Sequence, residues 1–294
     1  MKTAVMTDTN SGITLEEGKN NGIFVLPMPV IIDGKDYLEE VNLSHEMLYQ
    51  ALNENREISS SQPSPDMLLK MWDDILADGY DEIVYIPMTS GLSGACATAK
   101  GLALEYDGKI HVVDNHRISL TLLDSVYDAK YLAEKGLTAE QIKENLENNA
   151  YMNDIYITLH SLQRIVKTGR ITSAGAAIAT VLGIKPVLKI QGGKLDAFAK
   201  ARGMKKCESI MIEAVRNDLV GKYASVPPEH LTINTAGTFE KKQDAEEWVG
   251  TVQEAFPDYI VQYRPLSCSI ACHIGTNTKG IAVDRVERNT SVSK

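Results

Sequence analysis

The sequence predicts an α/β fold: a Rossmann-like parallel sheet in the N-terminal half, joined to an α+β C-terminal half. Three observations carry this expectation. Short apolar runs such as Ile83-Val84-Tyr85-Ile86 alternate with helix-length amphipathic stretches through residues 1–150, which is how βαβ units read. Those runs are apolar at consecutive positions, as strands covered on both faces are. Beyond residue 150 the rhythm shifts to a glycine-turned hairpin and longer helices, the pattern of an α+β unit.

The expected division is therefore residues 1–150 and residues 151–294. At 44% hydrophobic and 23% charged residues, the chain can build a sizeable core. A formal net charge of -9 argues against a nucleic-acid surface, which needs a basic face. The four cysteines, Cys96, Cys207, Cys268 and Cys272, are too few and scattered for a disulfide framework. Cys268, Cys272 and His273 cluster in sequence, yet no second Cys/His pair stands nearby to complete a tetrahedral metal site. No apolar run approaches the ~20 residues of a membrane span, and the opening apolar stretch is too short for a signal peptide. A cytoplasmic protein is expected.

Taken in order, Ala4-Val5-Met6 is the opening strand. It ends in Thr7-Asp8-Thr9-Asn10-Ser11-Gly12, which is either a plain Asx turn or a site at the carboxyl edge of the sheet. Ile23-Phe24-Val25-Leu26 is a second strand, and Asp33-Gly34 turns a hairpin. Ser44 caps a helix through Met47, Leu48 and Leu52. Ser59-Ser60-Ser61-Gln62 is a polar loop, followed by Ser64-Pro65, an N-cap with proline in the first turn. The central strand at residues 83–86 runs into Thr89-Ser90-Gly91-Leu92-Ser93-Gly94 and then a helix. Taken alone, that turn favours a tight βα connection with Ser93 as a cap. A strand at 110–114, helices at 119–136 and from Thr138, and a strand at 154–159 follow. Later expectations are an Ala-rich helix at 173–182, a hairpin turned at Gly192-Gly193, and helices at 203–219 and 240–256. Strands are expected at 231–234 and 259–263, with a tail at 267–280.

The candidate site residues are mostly hydroxyls: Thr9, Ser60, Ser61, Thr89, Ser90 and Ser93. Hydroxyls and backbone amides hold a carboxylate without a full counter-charge, which suits reversible binding. No paired carboxylates, HExxH helix or P-loop lysine is present. One enzymatic alternative stays open. Gly91-Leu92-Ser93-Gly94-Ala95 falls one residue short of G-x-S-x-G, and Asp114 and His273 follow in the order of a serine hydrolase or thioesterase triad, with Ser93 as nucleophile.

Nearly the whole chain resembles the DegV family, fatty-acid-binding proteins that act as the lipid-carrying subunit of bacterial fatty acid kinase in phospholipid metabolism. Thr7-Asp8-Thr9 resembles the family's T-D-S, Ser60-Ser61-Gln62-Pro63-Ser64 its T-S-Q-P-S, and Ser90-Gly91-Leu92-Ser93-Gly94 its S-G-L-S-G. Lys167-Thr168-Gly169-Arg170-Ile171 is similar to K-G-G-R-I, Lys185-Pro186 and Arg202 fall in place, and His273-Ile274-Gly275 resembles the closing H-x-G. Six short strings in the right order are hard to obtain by chance.

The resemblance implies a long-chain fatty acid threaded between two domains, with no cofactor and no catalysis of the chain's own. Ser60, Ser61, Ser93 and His273 would hold the carboxylate. Arg170 and Arg202, with Thr9 and Ser90 nearby, would face the headgroup and a fatty acid kinase catalytic subunit that supplies ATP and metal. Transient contact with a membrane surface is part of the same picture. The departures are Ser60 for threonine, Thr168 for glycine, Thr276-Asn277 after the H-x-G, and bulky residues in 115–122 that bear on the acyl tunnel. His45, His111, His116, His160 and His230 are read as structural.

Overall fold

The run at residues 83–86 forms the heart of a four-stranded parallel sheet. The computed structural model describes residues 2–178 and 183–290. β1 (Thr3–Asp8), β2 (Ile23–Leu26), β6 (Glu82–Ile86) and β7 (Ile110–Val112) lie in the order β2-β1-β6-β7, all parallel. Alternate side chains of a strand point to opposite faces, and both faces are covered. Val5, Val84 and Ile86 pack against α5 (Ser119–Glu134) and α6 (Ala139–Asn148) through Leu122, Val126 and Ile142. Met6, Ile83 and Tyr85 pack against α3 (Pro65–Ala77) and α4 (Ala95–Ala103) through Trp72, Ile75 and Cys96. α1 (Leu15–Asn21) lies beside β2. This is the Rossmann-like arrangement expected from the sequence.

Local signals act as expected at several ends. Ser64 accepts from the Met67 amide with Pro65 in the first turn of α3. Thr138 and Gln141 form a capping box on α6. Gly136, just past α5, takes the positive φ of a helix terminus. A small antiparallel sheet, β4-β3-β5, sits beside the main one. It comprises β3 (Pro29–Ile32), β4 (Lys35–Leu38) and β5 (Ile58–Ser60), with α2 (His45–Asn53) following β4. Here the structure corrects the polar-loop expectation: Ser59 and Ser60 pair with Ile31 and Val30 as an edge strand.

The C-terminal region is built on a six-stranded sheet in the order β10-β9-β8-β13-β11-β12. Its strands are β8 (Asn153–Thr158), β9 (Ile184–Ile190), β10 (Asp196–Arg202), β11 (Leu231–Gly237), β12 (Tyr263–Pro265) and β13 (Lys279–Arg285). Tyr156, Ile233, Ile281 and Val283 face α9 (Met204–Val220) and α10 (Lys242–Ala255), and Trp248 is sealed among them. Ile155, Ile157, Ile190 and Ala282 face the other way, toward Ile118 and Leu120, with α7 (Gln163–Thr168) and Ile171, which precedes α8 (Ser173–Ala177). The expected helix at 173–182 is seen as α8, and its residues 179–182 lie outside the described residues.

Two expectations fail at the C-terminal end. Residues 259–262 are not a strand, because the Gln253 side chain takes up the Tyr259 carbonyl and the Val261 amide. The strand starts only at Tyr263. The expected tail contains α11 (Cys268–Ile274) and opens β13, a strand paired on both sides. Only Ile281-Ala282-Val283 are apolar there, too short a run to stand out.

Candidate functional site

A cavity of about 250 Å³ lies between the inner face of the six-stranded sheet and the N-terminal loops. That is many times the roughly 10–15 Å³ a single buried water occupies, and so is room for a ligand of many atoms. Most of its wall is aliphatic: Ile118, Leu120, Ile155, Ile157, Ile165 and Ile190 are typical. Such a wall offers a flexible alkyl chain dispersion contacts and no polar competitor.

The polar part of the wall comes from several separate segments, with Asn10, Ser119 and Ser269 standing beside the residues named from the sequence. β5 and its exit bring Ser60, Ser61 and Gln62, and the turn after β6 brings Ser93. The loop after α7 brings Arg170, and α11 brings His273. Ser60 Oγ and His273 Nε2 stand 2.7 Å apart although 213 residues separate them. Gln62 Oε1 accepts from the Thr98 hydroxyl at 3.2 Å, which ties the β5 loop to α4. Ser93 Oγ accepts from the Ala95 amide at 3.2 Å within the turn, but the N-cap of α4 is Gly94 and no side chain caps that helix, so Ser93 stands on the wall without the capping role expected of it.

The turn after β6 is also pressed against the β9–β10 hairpin. Thr89 donates to the Gly192 carbonyl at 2.9 Å, and a Cβ on Gly91 would lie 2.5 Å from that oxygen. Gly91 is thus required by close backbone approach. It lets a hairpin from the C-terminal region close over the cavity beside Leu92 and Leu195.

Electrostatics at the rim are set by burial. His273 is held well below its ordinary value, to about 4, first by desolvation and then by the nearby Arg170 guanidinium. At neutral pH the ring is uncharged, and its buried Nδ1 has no hydrogen-bond partner. Arg170 donates to the Thr168 carbonyl, and among the described residues no carboxylate pairs with it. An unopposed guanidinium, a neutral imidazole and three hydroxyls fit an anionic headgroup with a long apolar body.

Not every residue singled out from the sequence reaches the cavity. Thr9 is buried elsewhere, donating to Glu39 Oε2 at 2.8 Å and accepting from the Met28 amide at 3.1 Å. Ser90 is exposed, and its amide donates to Asp114 at 3.2 Å. Arg202 is exposed at the end of β10. The geometry also bears on the hydrolase alternative. His273 turns to Ser60, and Asp114 meets the Ser90 amide and lies near His116 and Lys100. Ser93, Asp114 and His273 therefore form no relay among the described residues.

Sequence reasoning missed Glu39 and gave no role to Met28, Met88 or Ser269, which line or support the cavity. No local pattern marks them. Glu39, His45 and Cys268 bring ligand atoms within 4.8 Å of one another, but they fit a metal poorly. The Glu39 carboxylate already accepts from Thr9 and from the Cys268 and Ser269 amides. Those amides open α11, whose positive end disfavours a cation.

Known proteins place this architecture. A family profile described as "Uncharacterised protein, DegV family" matches residues 2–285. A DegV domain-containing protein of Deinococcus radiodurans is 33% identical over 217 residues, which are 74% of this chain and 77% of the relative. Another, from Listeria monocytogenes, is 27% identical over 288 residues, 95% of this chain and 97% of the relative. Among solved structures, the fold is similar to that of a Thermus thermophilus DegV family protein described as fatty acid binding. The TM-score is 0.85 at 24% identity, covering 97% of this chain and 100% of that one. A Bacillus subtilis DegV described as a fatty acid binding protein gives a TM-score of 0.82 at 24% identity, covering 97% and 99%. Profile, relatives and topology agree over nearly the full length, and the chain belongs to the DegV family.

Proposed function

We propose that this protein binds a long-chain fatty acid in the cavity and presents its carboxylate at the polar rim. The observation that carries the reading is the pairing of an aliphatic cavity of about 250 Å³ with Ser60, Ser61, Ser93, Arg170 and His273 in its lining, where Ser60 meets His273 and Arg170 lies near the same ring. Each CH₂ removed from water contributes ~0.8 kcal/mol, so the chain supplies the affinity and the rim needs only to satisfy the headgroup. Solved relatives described as fatty-acid-binding, including one from Eubacterium ventriosum described as binding stearic acid, support the ligand class.

The finer part of the proposal is a partner kinase. The rim would leave a carboxylate oxygen available for phosphorylation, and a catalytic subunit would bring ATP and metal in the cytoplasm. The charge distribution supports an acidic partner or an anionic membrane face: residues 161–206 hold ten lysines and arginines against one aspartate, in a chain of net charge -9. That stretch includes Arg170 and Arg202 and borders the cavity. On this reading residues 1–150 and 151–294 act as two domains around the ligand, and the chain itself performs no catalysis.

The test is organic extraction of the purified protein followed by mass spectrometry. A fatty acid present in near-stoichiometric amount is expected, and extracts free of acyl lipid together with no uptake of added oleate would overturn the reading. A fluorophosphonate probe separates the hydrolase alternative, because labelling lost in Ser93→Ala would favour that enzyme instead.

A further inference from the structure

We propose that Glu39 is a positioning residue for the headgroup rim, tying the small sheet that carries Ser60 to the helix that carries His273. Glu39 directly follows β4, in the same sheet as β5 and Ser60. Glu39 is 2% exposed. One oxygen accepts from the Thr9 hydroxyl and the other from the Cys268 amide, with the Ser269 amide adding a further bond. A second tie runs beside it, where Asn10 Oδ1 accepts from the Ser267 and Ser269 hydroxyls. Below these ties, Cys268, Ala271 and Cys272 of α11 pack on Val30 and Ile32 of the small sheet. The contact between Ser60 and His273 therefore depends on how α11 is seated, and Glu39 is its buried ionisable anchor.

An ionised Glu39 accepts from every donor around it. A protonated one must turn its own hydrogen toward a donor, and α11 has to shift in response. Burial raises the Glu39 carboxyl to about 7, so this change falls near neutrality. The titratable groups facing it are Glu40 on its own loop, His45 and Tyr49 on α2, and Cys268 and Cys272 on α11. Burial pushes the two thiols and the Tyr49 phenol upward, and Cys272 reaches about 12. His45, whose ring meets the Leu266 carbonyl at 3.0 Å, is the group to control for.

The proposal rests on the fatty-acid reading for what His273 does, but not for where it stands, and the test separates the two. Histidine-ring NMR of the free protein from about pH 5.5 to about pH 8.5 reads the seating of α11 directly. His273 itself titrates at about 4, below that window. Its ring resonances are expected to step near neutrality in the wild type and in His45→Gln, and to lose the step in Glu39→Gln. In parallel, affinity for the fluorescent fatty acid cis-parinaric acid is expected to fall about tenfold in Glu39→Gln near pH 8, with the gap narrowing to about twofold near pH 6.

A His273 step that persists in Glu39→Gln, or one that vanishes in His45→Gln, overturns the proposal. If Glu39→Gln does not fold, Thr9→Val removes one donor to the carboxylate and should move the His273 step to higher pH; an unmoved step overturns it equally. A wild type that takes up no cis-parinaric acid removes the fatty-acid reading, and the ring measurement still decides this one.

Discussion

The two faces of the six-stranded sheet are made by the same strands and have opposite character. On one face Tyr156, Ile281 and Val283 close against α9 and α10, and Trp248 is fully buried with its indole donating to the Gly280 carbonyl at 2.9 Å. On the other, Ile155, Ile157 and Ile190 are just as apolar, yet they border a cavity of about 250 Å³. Interiors normally fill to crystal-like density. The filled face contributes stability, and the hollow face gives up packing, which on the proposed reading makes room for the fatty acid.

The largest effect tests the filled face. Trp248→Ala should cost about 3–5 kcal/mol of unfolding free energy, read by denaturant titration; a loss under about 1 kcal/mol would mean this face is not the stabilising one. Ile157→Phe on the hollow face should do the reverse. It grows into open space and leaves the denaturant midpoint nearly unchanged, while fatty-acid affinity drops on the order of a hundredfold as the chain's room is taken. Unchanged binding would move the ligand out of this cavity.

At the rim, His273→Ala should weaken fatty-acid binding about tenfold, since Ser60 loses its partner and the headgroup loses a donor; unaltered affinity in a competition titration would remove His273 from the site. The smallest effect is on stability against pH. Below the ordinary Glu39 value of 4.5 both folded and unfolded chains carry its proton. Between 4.5 and about 7 only the folded chain keeps it, so stability falls as pH rises through that window. Asp8, raised by burial to about 6, adds a loss of the same sign. The melting temperature of the wild type minus that of Glu39→Gln should therefore decline between about pH 5 and about pH 7. A rise would contradict the assigned shift.

The filled parts of the molecule were the readable ones. Consecutive apolar residues at 83–86, the proline start of α3 and the capping box of α6 are local signals, and each stands where periodicity and capping put it. β13 escaped notice because a three-residue apolar run between a glycine and an aspartate resembles a loop, and its two pairing partners are distant in sequence. The hollow was not readable in composition or period at all. Its lining residues look like any core, and the 2.7 Å meeting of Ser60 with His273 spans 213 positions. Motif resemblance pointed to both residues without giving their contact. It also singled out Thr9, whose hydroxyl instead serves Glu39, and Glu39 itself has no neighbouring pattern to announce it.

The most direct measurement is a crystal structure of the protein grown with a long-chain fatty acid. The account predicts continuous density for the alkyl chain along Leu120, Ile157 and Ile190, with the carboxylate within hydrogen-bonding reach of Ser60 or Ser61. A chain bound elsewhere, or a cavity holding only water under saturating ligand, would contradict it.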